Sequence, residues 1–277
     1  LLLRRDVRER VQALLPFFTA GPTPQAMLVA DSLWWTVELF NAGADYPLSE
    51  PLLFDGVPLR HAAPAGLALV NAHSGRVRAL LPERVDKVTR WWRDRLPDLF
   101  VSPHALTPEV LAALPAPVDR AVVQGNALSL TGFRGDTLAA RPLLHVDNAE
   151  ADLLPGAPQP FASGASGAPL AWGVPVVDAA DRVRGAFVAV GGAHPATSFV
   201  EAPDARSWSA ILDQLQRTAD SARIGRSRPH LRHGRVQVIP ATDGLHFVQS
   251  FYDWPPDRAP ALAGVVALHA GRSRVGG

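Results

Sequence analysis

Cysteine is absent from all 277 residues. Disulfides, thiolate nucleophiles and cysteine-ligated metal sites are therefore excluded, and an oxidising compartment is compatible with the composition. No run of about 18 uncharged apolar residues occurs, so no stretch reads as a membrane-spanning helix. A strong global field is also missing: the formal net charge is +1, which does not select nucleic acid. Several reaction signatures are lacking. Gly164-Ala165-Ser166-Gly167-Ala168 misses the second glycine of a nucleophile elbow, and neither His-Glu-x-x-His nor a phosphate-binding glycine loop is present.

Proline, by contrast, is abundant. Its 26 residues exceed the roughly 5% average usage, so long uninterrupted helices should be few and turns many. Val236–Tyr252 is the organising stretch: two apolar arms flank Asp243-Gly244, a short-range hairpin signal. Leu245 and Phe247 alternate with His246 and Val248, the period of a two-faced strand. Similar units turn at Asp31-Ser32 within Met27–Phe40, at His73-Ser74-Gly75 within Leu67–Leu81, and around Asp178–Arg184 within Val174–Val190.

Helices are expected at Asp6–Leu15, Arg84–Leu96, Val110–Leu114 and Ser207–Ala222, with Val118–Leu130 ambiguous between helix and strand. In Arg84–Leu96, Val85, Val88, Trp91, Trp92 and Leu96 form one wide apolar face, expected to be buried. Asn41–Ala65 reads as a long Pro-rich irregular loop. Leu1-Leu2-Leu3 followed by Arg4, Arg5, Arg8 and Arg10 reads as an amphipathic surface helix, with the exit of a membrane segment as the alternative. The start, without methionine or signal peptide, suggests a processed product or part of a longer protein. The fold class is α+β, rich in antiparallel β-hairpins, with several packed helices and long Pro-rich loops. The expected division is 1–150, a Pro/Gly/Ser-rich linker at 151–172, and a hairpin-rich half at 173–277.

Two polar or aromatic sets are candidates for binding. The basic run Arg223, Arg226, Arg228, Arg232 and Arg235 suits anionic lipid headgroups or an acidic protein surface; its bland reading is a solvated loop. Aromatics are not interleaved with it, so nucleic acid is not expected. Among seven tryptophans most are read as core, while Trp35 and Trp254 are read as contacts for a partner or membrane interface. Phe251, Tyr252 and Trp254, ahead of Pro255-Pro256, read as a rigid aromatic ledge serving the same contact. His230 and His233 sit among the five arginines, which opposes a cation site there, and Asp178 and Asp181 read as turn formers. No metal or cofactor is expected.

Several segments occur in a characteristic order: Tyr46-Pro47, Leu69-Val70-Asn71-Ala72-His73-Ser74-Gly75, Leu96-Pro97-Asp98-Leu99-Phe100, Asp213-Gln214-Leu215, Gly234–Pro240 into Asp243–Tyr252, then Val265–Arg272. This ordered set, over Arg4–Phe100 and Glu201–Gly276, resembles the soluble C-terminal part of the UPF0182 family of uncharacterised bacterial membrane proteins. The resemblance implies transmembrane helices ahead of this region and, for an odd number of spans, an extracytoplasmic (periplasmic) location. It supplies no catalytic residues. The chain departs from the family pattern at His61–Gly66 and through Ala116–Ala168.

These readings lead to the expectation of a non-catalytic, extracytoplasmic, membrane-extrinsic domain. It would pack on integral membrane subunits and stabilise an assembly, respiratory or photosynthetic complexes being possible hosts. The alternative is an envelope enzyme or ligand-binding domain acting on a glycan or lipid, with Asp45, Tyr46, Arg60 and His61 around a pocket. A third reading, a folding factor for envelope proteins, would require a large exposed apolar groove.

Overall fold

In a computed structural model the described residues are 6–47, 49, 51–131, 158–162, 170–178, 180–202, 204, 206–226, 228–241 and 243–276. They form an α+β fold dominated by antiparallel strands. Two compact units emerge: Leu1–Gln124 with Ala162–Ala171 and Ala189–Thr197, and Gly125–Phe161 with Trp172–Val188 and Ser198–Gly277. Where composition put one linker at 151–172, the units thus interleave in sequence. Of that linker, only 158–162 and 170–172 are described, and they include a strand. Leu1–Arg5 and the glycine/serine run 163–169 lie outside the described residues.

The first unit opens with α1 (Val7–Leu14), capped by Asp6, whose side chain accepts from Glu9 N at 3.0 Å. Strands β1 (Thr19–Ala20), β2 (Gln25–Val29) and β3 (Ser32–Gly43) follow. A small hairpin, β4 (Leu52–Phe54) and β5 (Val57–Leu59), stands inside what the sequence suggested was irregular loop. Then come β6 (His61–Asn71), β7 (Val77–Leu80), α2 (Lys87–Arg95), β8 (Phe100–Val101), α3 (Pro108–Ala112) and α4 (Val118–Thr131). The main sheet runs β1-β3-β6-β7-β8, with β2 also on β3; β7 and β8 pair in parallel. Val11 and Leu15 pack on Val37, Leu39, Ala68 and Val70 of that sheet. Each such large side chain contributes about 1.5–3 kcal/mol by burial.

Tight turns set the hairpin registers. Ala30-Asp31, Asp55-Gly56 and Ala270-Gly271 each place two consecutive residues at positive φ. That is the signature of a two-residue turn whose twist matches the flanking strands. The β2–β3 turn therefore sits one residue earlier than Asp31-Ser32.

Four strands that lie mostly in the second unit, β9 (Gln159–Phe161), β10 (Ala171–Val177), β11 (Val183–Val190) and β12 (Ala196–Glu201), form a sheet in the order β12-β11-β10-β9. Asp178 builds the β10–β11 turn, accepting from Ala180 N, Arg182 N and Arg182 Nε. Next come α5 (Trp208–Ser221) and a four-stranded meander, β13 (Leu231–Ala241), β14 (Gly244–Asp253), β15 (Ala261–His269) and β16 (Arg272–Gly276). Ser207 caps α5, accepting from Ala210 N. Trp208, Ile211, Leu215 and Ala219 of α5 join Val236, Val238, Leu245, Phe247, Phe251, Val266 and Leu268 in one core.

Candidate functional site

The alternation of β14 decides what the meander offers. Leu245, Phe247, Gln249 and Phe251 are buried, while His246, Val248 and Ser250 fall on the other, half-buried face. On β15, Val266 and Leu268 enter the core, leaving His269 on the second face. The register sets His246 directly opposite His269. Their rings stack at 4.0 Å with 9° between planes.

Asp243 completes the group. Ala241 pairs with Gly244, so Gly244 (φ +125°) already begins β14 and is not a central turn residue. That places the Asp243 carboxylate beside both rings. His246 Nε2 lies 2.9 Å from Asp243 Oδ1, within hydrogen-bonding reach, and His269 Nε2 lies 3.3 Å from Oδ2. His269 Nδ1 donates to the Leu245 carbonyl at 3.3 Å. The hydrogen bond with His246, with His269 close by, holds the Asp243 carboxyl below its ordinary pKa. One ligand atom from each residue lies within 4.8 Å of the other two; among the described residues this is the one cluster of three or more His, Asp or Glu so arranged. Sequence reading missed it because a cross-strand partner some twenty positions away has no local signature. The available signal was Asp243-x-x-His246 on the outward period of a hairpin strand.

The expected contact residues are dispersed in their roles. Arg223, at positive φ after α5, and Arg226 and Arg232 are exposed, as is Arg235. Arg228 turns inward, its Nη1 donating to the Ile224 and Ala263 carbonyls, so it ties the loop to β15. Phe251 corrects the aromatic-ledge reading: it is 0% exposed and lies in the α5 core. The cause is parity, since Phe251 shares the inward period of Leu245 and Phe247. Tyr252 is half-buried, and Trp254 is 55% exposed, with its backbone N–H on the His230 carbonyl. In the first unit, Trp35 is 37% exposed on β3.

Helix α2 departs furthest from expectation. Asp86 caps it, accepting from Val88 N at 2.8 Å and Thr89 N at 2.9 Å, and Thr89 is its one fully buried side chain. Trp92 stacks on Phe17 at 4.2 Å and 10°. Val88 is 62% and Trp91 50% exposed, and Leu96 is exposed as well. The apolar face expected in the core therefore splits: one edge fastens the helix, the other faces solvent. Arg95 lies over the Trp91 ring at 4.8 Å.

Between α2 and the strands lies a groove of about 590 Å³ lined in part by Phe17, Asp45, Tyr46, His61 and Val85. Tyr46 stacks on His61 at 5.7 Å. Its carboxylates, Asp45 and Asp86, are exposed, and Asp86 is occupied as a helix cap. Arg60 is turned to the Ser49 carbonyl. The buried carboxylate that a catalytic pocket around His61 would need is not among the described residues there.

Buried carboxylates occur elsewhere in this unit. Glu38 on β3 accepts from Asp119 N at 2.7 Å and Arg120 N at 3.1 Å, at the start of α4. Asp119 Oδ2 accepts from Thr23 N at 3.1 Å, and Asp119 Oδ1 is buried without a partner. Burial pushes Glu38 up to about 8 and Asp119 up to about 6, the mutual repulsion adding to the Glu38 shift.

Fold and site together define an antiparallel, hairpin-rich α+β protein with an outward Trp/Arg helix and a His-Asp-His cluster. Residues 1–130 match the group described as Uncharacterised protein family (UPF0182), so this stretch of the chain is similar to that family. The match covers the first block of the resemblance; the second, Glu201–Gly276, lies outside it. A UPF0182 protein of Prochlorococcus marinus (strain MIT 9313) is 32% identical over 139 residues, 46% of this chain and 14% of that protein. One from Synechococcus sp. (strain CC9311) is 32% identical over 111 residues, covering 36% of this chain and 12% of that protein. One from Syntrophobacter fumaroxidans is 26% identical over 126 residues, 46% of this chain and 14% of that protein. The matched stretch thus spans about one-seventh of these relatives' length or less. No solved structure matches the chain.

Proposed function

We propose that this chain is a non-catalytic, extracytoplasmic, membrane-extrinsic domain that packs on integral membrane subunits and stabilises their assembly. The observation carrying this reading is the outward face of α2. Val88, Trp91 and Arg95 stand at i, i+3 and i+7, one stripe of a helix. The helix holds Lys87, Arg90, Arg93 and Arg95 against the single acid Asp94. Tryptophan and an aliphatic side chain among basic residues is the composition of a surface helix at a membrane interface or a membrane-proximal partner. Trp92 on Phe17 and the buried Thr89 hold the helix to its sheet, so the stripe is presented on a rigid support. The exposed arginines Arg223, Arg226, Arg232 and Arg235 add positive charge suited to anionic headgroups or acidic partner surfaces, about 1 kcal/mol each near an anionic membrane.

Mild detergent extraction followed by native electrophoresis and mass spectrometry tests the reading. The chain should migrate with integral membrane proteins, and a Val88→Ser/Trp91→Ser variant should leave that complex. Release of the wild-type chain as a free monomer by low salt would contradict the proposal. Replacing the four exposed arginines by glutamine should weaken retention in a salt-dependent manner.

A further inference from the structure

We propose that Asp243, His246 and His269 bind one divalent transition-metal ion of the zinc type, with a coordination position left open to solvent. The Leu245 carbonyl can only accept, so His269 Nδ1 carries the hydrogen in their 3.3 Å contact. In the neutral ring Nε2 is then a bare lone pair, and it faces Asp243 Oδ2 at 3.3 Å. A cation between Nε2 and Oδ2, a proton or a metal ion, makes that approach attractive. The second ring adds to the demand, because His246 Nε2 approaches the other carboxylate oxygen at 2.9 Å. One divalent ion can be shared by all three residues, whose ligand atoms already lie within 4.8 Å of one another.

The donor set chooses the metal. Two imidazole nitrogens and one carboxylate oxygen suit Zn²⁺ and its neighbours, whereas Ca²⁺ and Mg²⁺ prefer all-oxygen shells. The donors lie within 4.8 Å of one another, and bonds of about 2.0–2.2 Å would draw them to roughly 3.4 Å separations. The Leu245 carbonyl acts as the outer partner that fixes a ligand histidine's tautomer. Paired register on β14 and β15 holds both rings, and the Asp243 side chain is 58% exposed, which gives an ion a way in. A cavity of about 50 Å³, lined in part by Asp204, Arg206, Asp243 and His269, leaves room for water at the open position. No residue of this site belongs to the α2 stripe, so the inference stands apart from the docking role.

Titrating the chelator-stripped chain with Zn²⁺ in a calorimeter tests it. One equivalent should bind saturably and raise the unfolding temperature. His246→Gln and His269→Gln should each weaken binding at least about tenfold. Co²⁺ should give visible absorption bands of a low-coordinate site in the wild type and lose them in His269→Gln. Asp243→Asn, nearly isosteric at the turn, should also weaken binding while keeping the fold by circular dichroism. Absence of a Zn²⁺-dependent heat and unfolding shift would overturn the proposal. So would undiminished one-equivalent binding in a folded His246→Gln/His269→Gln variant, since the ion would then sit elsewhere, His230 and His233 included.

Discussion

Glu38 sits on the second strand of a hairpin with its carboxylate on the first N–H groups of α4, and burial raises its pKa to about 8. The folded chain therefore holds a proton that the unfolded chain releases near pH 4.5. Unfolding then lets go of protons across this interval, so stability falls as pH rises from about 4.5 to about 8. Thermal unfolding across that range should show the decline in the wild type. Glu38→Gln, which carries no titrating proton, should flatten it above about pH 6, below which the raised Asp119 still contributes; an unchanged slope from pH 6 to 8 would count against a protonated Glu38. Phe251 offers a second single-residue test. Phe251→Ala should cost about 3–5 kcal/mol in urea unfolding, as a fully buried aromatic does. Trp254→Ala should stay within about 0.5 kcal/mol. Equal effects would mean the ledge is a single exposed unit after all. Legibility at this scale depended on parity. Counting two by two from Leu245 already puts Phe251 on the core face, but the neighbouring Trp254 and Pro255-Pro256 suggested a common surface.

Local patterns carried the elements well. Caps at Asp6, Asp86 and Ser207, and stops at Pro16 and Pro97, fixed α1, α2 and α5 close to their expected spans. The β4–β5 hairpin was hidden because its arms are only three residues long, although Asp55-Gly56 is a strong turn pair. The facing of α2 was not legible either. Periodicity reports an apolar stripe, but it does not say whether core or partner covers it. The β2–β3 turn gives the element-scale prediction. Ala30 adopts φ +46° without a side chain that favours it, so Ala30→Asn should stabilise the chain by up to about 1 kcal/mol. The urea midpoint checks this, and a lowered midpoint would show that the turn is held by contacts of Ala30 itself.

Across the whole chain, the fold class and the family likeness of residues 1–130 were visible in sequence, whereas the His-Asp-His cluster required a register between strands. Composition also suggested a single linker, while the units draw on interleaved segments. Contacts between distant residues set both outcomes, and neither leaves a periodic trace. In the proposed role, the α2 stripe meets a membrane-embedded partner or its lipid surroundings. Site-specific photocrosslinking from position 91 in the cells that make the protein asks this most directly. Crosslinks to an integral membrane protein or to lipid are expected, and should be lost when Val88→Ser is added. Crosslinks confined to soluble proteins, or none from position 91 while the chain remains membrane-bound, would contradict it.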